Sequence, residues 1–182
     1  MRTVFVMFLF ALLGSGFLQG QVPQWFINPE KIEVTFKIKN FGFWVDGSLS
    51  GVEATVFFDP SNLDESKIEG AVSASSINTD NNTRDKHLRS EEYFHVDKFP
   101  KLHMVSSKIT QGEGVFNFFG KLTMHGITKD ITFPFIFASR DGDALFTARF
   151  VVNRQDFDIG PSGPPGDEVH VSLGIAFKKA SP

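Results

Sequence analysis

Ile131-Thr132-Phe133-Pro134-Phe135-Ile136-Phe137 runs into a turn at Arg140-Asp141-Gly142-Asp143 and then into Phe146-Thr147-Ala148-Arg149-Phe150-Val151-Val152. Ile131, Phe133, Phe135 and Phe137 share one face by period-two spacing. Phe146, Ala148, Phe150 and Val152 alternate with Thr147, Arg149 and Asn153. A turn rich in Gly and Asp joins the two runs, so they read as neighbouring antiparallel strands with one apolar face.

The same signal spreads in both directions. Ile32, Val34, Phe36 and Ile38 alternate with Glu33, Thr35, Lys37 and Lys39. Val52, Ala54, Val56 and Phe58 share a side. Ile68 to Ile77, Leu102 to Ile109 and Val115 to Met124 are further strand candidates, and Val169, Val171, Leu173, Ile175 and Phe177 form the last. Asp59-Pro60-Ser61-Asn62, Gln111-Gly112-Glu113-Gly114 and Gly160 to Gly166 supply turns. About eight antiparallel strands close into a barrel wide enough for a slender ligand, and closure removes exposed edges. A two-sheet sandwich has the same periodicity, so alternation leaves that choice open.

Thr79 to Phe94 breaks the pattern. It is polar, with Thr83 as the expected N-cap and Asp85 near the positive end of a short helix. His87, Leu88, Glu91 and Glu92 would share its surface. The expectation is a short helix, or two turns, across one barrel mouth.

Before Gln21 the chain reads as a signal peptide: Arg2, the apolar run Val4 to Leu13, then Gly14-Ser15-Gly16 and cleavage after Gly20. The run is shorter than the ~20 residues of a membrane span. Residues 1–20 are thus expected to be removed and 21–182 to form one soluble domain, periplasmic or secreted. The chain has 182 residues, no Cys and a formal charge of −3, so its core must stabilise it without disulfides. The charge and the lack of a basic run argue against nucleic acid and anionic membrane surfaces as partners.

Of 182 residues 22 are Phe, with one Tyr and two Trp. Phe has no polar handle and either fills a core or lines an apolar cavity. Cavity candidates are Phe36, Phe116, Phe118, Phe133, Phe135, Phe146, Phe150 and Leu173, with Trp25 nearer a barrel end. Core packing is the competing reading for each. The polar candidates are Arg84, Asp85, His87 and Arg154. A guanidinium matches oxyanions, so Arg84 suits a diphosphate, carboxylate or quinone head group, with His87 donating beside it. The competing reading is structural: Asp85 caps amides, Arg84 pairs with Asp85 or Glu92, and Arg154 pairs with Asp156 or Asp158. No catalytic residue is expected, since there is no Gly-x-Ser-x-Gly elbow and no thiol. His87, Glu91 and His95 make at most half a metal site, so no metal is expected.

Four blocks resemble the YceI-like family of exported proteins: Thr83-Arg84-Asp85-Lys86-His87-Leu88-Arg89-Ser90 with Glu92-Tyr93-Phe94 and Phe99-Pro100; Gly120 to Lys129; Asn153 to Gly160; and Gly166-Asp167-Glu168-Val169. The resemblance runs from Trp25 onward. It implies an all-β, extended lipocalin-like eight-stranded antiparallel β-barrel that holds a polyisoprenoid or isoprenoid quinone. It implies no required cofactor, a long-chain lipid as partner, and in many members a homodimer. The chain departs from the family at Asn28, Lys31, Ile32 and Asn40, where an acid and histidine or serine are usual. Asp158 replaces a common Gly, and Pro161, Pro164 and Pro165 stiffen the following loop. The alternative function is an exported interaction or stress-response protein with no lipid cargo; an enzyme acting near His87 is a third reading.

Overall fold

The computed structural model describes residues 22–180; the expected signal segment lies outside the described residues. Nine strands form one antiparallel sheet: β1 (Gln24–Asn40), β2 (Phe43–Ser48), β3 (Glu53–Phe57), β4 (Lys67–Ser73), β5 (Lys101–Gln111), β6 (Phe116–Met124), β7 (Ile127–Arg140), β8 (Asp143–Asn153) and β9 (Glu168–Lys179). Pairing of β1 with β9, from Trp25 opposite Lys179 to Ile38 opposite Val169, closes the sheet into a barrel. Sandwich packing is thereby excluded.

The nine strands occupy eight positions. β2 pairs with the C-terminal part of β1, from Thr35 to Asn40, while β3 pairs with Gln24 and Trp25 at its other end. They are two pieces of one broken strand. β2 escapes the alternation argument because Phe43 and Trp44 are both exposed, so the segment has no clean apolar face.

Two irregularities explain why parity along the sequence misleads. Between Ile27 and Ile32 the register of β1 against β9 slips, with Asn28 to Lys31 bulged out. Pro29 lacks an N–H and belongs in such a bulge. Inward residues are therefore odd-numbered before it, as at Trp25, and even-numbered after it, as at Val34 and Phe36. In β5 a second slip between Ser106 and Lys108 moves the inward set from Leu102 and Met104 to Ile109.

The lumen is filled unevenly. At one end Trp25, Phe58, Phe118, Phe133, Phe135, Phe137, Phe146 and Phe177 are buried together with Val56, Ile68 and Ile109. Phe118 stacks on Phe133 at 4.7 Å, and Phe133 on Phe150 at 4.4 Å. The Trp25 indole donates to the Phe58 carbonyl at 2.9 Å, so its one polar atom is satisfied inside this plug.

Over the other end lies the connection from β4 to β5. Ser73 ends β4, and a single 3-10 turn at Ala74–Ser76 replaces the strand continuation expected to Ile77. Helix α1 (Asn82–Leu88) follows. Its N-cap is Asn81, whose side chain accepts from the Arg84 amide at 3.0 Å; Thr83 lies inside the helix instead of capping it. Arg89, just past the helix, donates to the carbonyls of Ser75 at 2.7 Å and Ile77 at 2.6 Å, tying the helix end to the 3-10 turn.

Removing a ring from the middle of the plug leaves a cavity that stacked neighbours cannot collapse into. Phe118→Ala is expected to cost about 3–5 kcal/mol in urea unfolding. Asn81→Ala is expected to cost about 1 kcal/mol, by loss of one cap.

Candidate functional site

Above the Phe plug the lumen stays open as a cavity of about 420 Å³. Val34, Phe36, Val52, Val72, Leu102, Met104, Leu122, Met124, Phe150, Val152, Val171 and Leu173 supply its apolar walls, with Leu88, Tyr93 and Phe94 from the lid. Arg84 and His87 stand at its edge on α1, and Asn40, Phe41, Pro164 and Pro165 complete the rim. An apolar space of this size offers water few hydrogen-bond partners and so favours an apolar occupant.

The candidate apolar residues divide by level. Phe36, Phe150 and Leu173 line the cavity. Trp25, Phe116, Phe118, Phe133, Phe135 and Phe146 do not; they belong to the plug or pack against it. The reason is steric: where the inward side chains are phenylalanines they meet across the lumen and fill it, and where they are Val, Leu and Met they do not. Phe150 spans both, closing the ring stack below and forming cavity floor above.

Phe36 is held by its cross-strand partner. Its ring lies where a side chain on Gly47 would stand, and Phe36 and Gly47 are directly opposed in register. The missing side chain at Gly47 thus seats an aromatic ring against the barrel wall.

The polar candidates are largely occupied by the protein itself. Asp85 is 3% exposed, does not line the cavity, and accepts from the Thr79 amide at 2.9 Å and from the Thr79 hydroxyl. Arg84 donates from Nε to the Thr79 hydroxyl at 2.7 Å and from Nη2 to the Thr79 carbonyl at 2.6 Å. Its expected pairing with Asp85 or Glu92 is replaced by this double contact with Thr79, which leaves Nη1 unpaired among the described residues. His87 meets Glu92 at 2.8 Å, with both side chains more than half exposed, and packs edge-on against Tyr93.

Arg154 borders the cavity, but its guanidinium is bonded to the protein. It is 3% exposed. Nε donates to the Gly166 carbonyl, Nη1 to those of Ile159 and Pro161, and Nη2 to those of Gly163 and Pro165. All five N–H groups of the guanidinium are used, and its ion partner is Asp167 at 3.1 Å, not Asp156 or Asp158. It organises the loop after β8 and has no donor left for a ligand. The loop leaves the 3-10 turn Arg154–Phe157 through Asp158, whose φ is +51°. That left-handed backbone suits Gly, and Asp is among the residues that tolerate it.

Thr79 and Arg89 escaped the sequence reading. Thr79 bonds through its own amide, carbonyl and hydroxyl, and Arg89 to backbone carbonyls, none of which has a pattern legible in the sequence. Two carboxyls sit below their ordinary range, Asp59 through hydrogen bonds from Ser61 and Glu69 chiefly through one from His103. Neither lines the cavity. Among the described residues no group of three or more His, Cys, Asp or Glu is placed to hold a metal.

Arg154→Met removes the donor from five carbonyls and leaves Asp167 without its partner. It is expected to cost at least ~3 kcal/mol in chemical denaturation, whereas His87→Ala stays within about 0.5 kcal/mol of the parent.

Comparison with known proteins places this geometry. Among solved structures, BcnA of Burkholderia cenocepacia superposes with a TM-score of 0.78 at 21% identity, covering 82% of this chain and 98% of that one. A polyisoprenoid binding domain from Saccharophagus degradans superposes at 0.70 with 9% identity, covering 88% and 99%. At these identities the likeness is one of fold. In sequence, the chain is 30% identical over 155 residues to the UPF0312 protein YE1254 of Yersinia enterocolitica, covering 81% of each. It is 29% identical over 150 residues to Protein YceI of Salmonella arizonae, covering 78% of each. The YceI-like domain matches residues 25–177, from the first buried tryptophan to the last buried phenylalanine of the barrel, and the chain belongs to the YceI-like family.

Proposed function

We propose that this protein binds and carries, or sequesters, a long apolar lipid of the polyisoprenoid or isoprenoid quinone class, its tail in the open half of the barrel. The observation that carries the reading is the apolar cavity left above a well-packed core. Packing alone would not leave it, because a void in a core destabilises in proportion to its volume. The Saccharophagus degradans domain of the same fold is described as polyisoprenoid binding, which supports the class of ligand.

The energetics favour recognition by the tail. Burying hydrocarbon gains about 0.8 kcal/mol per methylene, so one five-carbon isoprene unit is worth roughly 3–4 kcal/mol before ordering costs. At the rim, the free Nη1 of Arg84 and the His87 ring stand where a diphosphate, carboxylate or quinone oxygen would emerge. An apolar tail in a closed barrel suits a periplasmic or secreted carrier, because lipids cross water only when enclosed.

Protein purified without detergent from a host that makes isoprenoids is expected, by native mass spectrometry and solvent extraction, to hold one isoprenoid lipid per chain. A monodisperse, empty protein that takes up no added isoprenoid overturns the reading. Leu173→Trp projects an indole into the cavity from β9 and is expected to weaken isoprenoid binding at least ten-fold while the melting temperature stays within a few degrees.

A further inference from the structure

The β1–β2 hairpin ends at the cavity rim in Asn40-Phe41-Gly42-Phe43-Trp44. Phe41 and Gly42 form its two-residue loop, with φ of +49° and +86°. A loop with positive φ at both positions favours Asn-Gly, and a bulky side chain in the first position is uncommon. Here that position holds a phenylalanine that is 78% exposed. Phe43 is also 78% exposed and Trp44 49%. An aromatic ring held at an unfavourable backbone angle and presented to water gains nothing for the fold.

The neighbouring loop extends this surface. The Gly166 amide donates to the Lys39 carbonyl at 2.8 Å, joining the loop after β8 to the hairpin. Pro161, Ser162, Gly163 and Pro164 are exposed on it. Neither 40–45 nor 159–166 contains a charged residue. Phe41, Pro164 and Pro165 also line the cavity, so this uncharged lip is continuous with the cavity wall.

We infer that the lip is the surface by which the barrel seats on a lipid bilayer, so that the cavity mouth opens toward the membrane. The inference rests on the lipid reading above and names where the lipid would pass. Three features favour a bilayer over a second copy of this chain. The three aromatic side chains expose about 400 Å² together, against the roughly 800 Å² per partner of a stable protein interface. Trp44, its ring under the Lys39 ammonium at 5.2 Å, has the amphipathic character that places tryptophan and lysine at the level of lipid head groups. Continuity with the cavity gives an apolar tail a path that avoids water. With no charge within these two segments and Lys39 beside them, the attachment depends chiefly on apolar burial and not on anionic lipid.

The test is flotation of the protein with vesicles of phosphatidylcholine alone, and of phosphatidylcholine with phosphatidylglycerol, each at low and high salt. The parent, Phe43→Ser and Phe41→Asn are compared. Phe43 lies outside the cavity lining, and Asn suits the backbone at position 41. The parent is expected to float with both vesicle types at both salt levels. Phe43→Ser is expected to reduce the bound fraction at least five-fold, with binding of a soluble fluorescent isoprenoid analogue unchanged. Phe41→Asn is expected to reduce flotation similarly without lowering the melting temperature. No flotation of the parent, or flotation that neither variant reduces, overturns the inference. So does a dimer in sedimentation that Phe43→Ser dissociates, with no vesicle binding. Analogue binding without flotation overturns the lip alone; flotation without analogue binding supports the lip and overturns the cargo reading.

Discussion

A closed sheet of eight strand positions leaves a lumen that its own side chains either fill or leave open, and the pairing of β1 with β9 creates that choice here. Once the sheet closes, every inward residue faces the same narrow space. The Phe residues of β6, β7 and β8 meet at one level and exclude water and ligand alike. At the next level β6 presents Leu122 and Met124 and β8 presents Val152, which are too short to meet. The plug and the cavity are therefore one structure read at two heights.

This arrangement separates stability from binding. Stacked rings from Phe118 to Phe150 and the Trp25 indole bonded to Phe58 fix the barrel from below. The open half is held by its surroundings: Asp85 and Arg84 converge on Thr79, Arg89 ties the helix end to the 3-10 turn, and Arg154 gathers five carbonyls of the loop after β8. Each of these charged groups bonds to protein, so the rim keeps its shape without a ligand to template it.

Much of this was legible in the sequence. Period-two spacing gave the antiparallel strands, and the polar break at 79–94 gave the lid. The level of the cavity was not read, though a signal exists. Along β6 the inward residues shrink from Phe116 and Phe118 to Leu122 and Met124; along β7 they grow from Ile131 to Phe133, Phe135 and Phe137. Opposite gradients in antiparallel neighbours place the large residues at one end, which is a statement about plug and cavity together. Parity along a strand could not show this, and the slips at 28–31 and at Ser107 reverse it midway. For Arg154 the residue type leaves both readings open, because a guanidinium suited to oxyanions is equally suited to carbonyls, and only the path of the loop decides which it meets.

What the rim leaves for a ligand follows from what it has already used. Arg154 has no free donor, Asp85 is buried against Thr79, and Arg84 has committed two of its nitrogens to Thr79. On the proposed reading, a head group would meet Arg84 Nη1 and a solvent-exposed histidine already paired with Glu92. Exposed charge pairs are worth little, about 0–1 kcal/mol, whereas each buried isoprene unit is worth several times that. For the proposed cargo, that balance makes the tail the source of affinity and the head group a minor discriminator. The Phe150 floor then limits how far a tail descends, so lipids that share a tail and differ in head group should compete for this barrel on nearly equal terms.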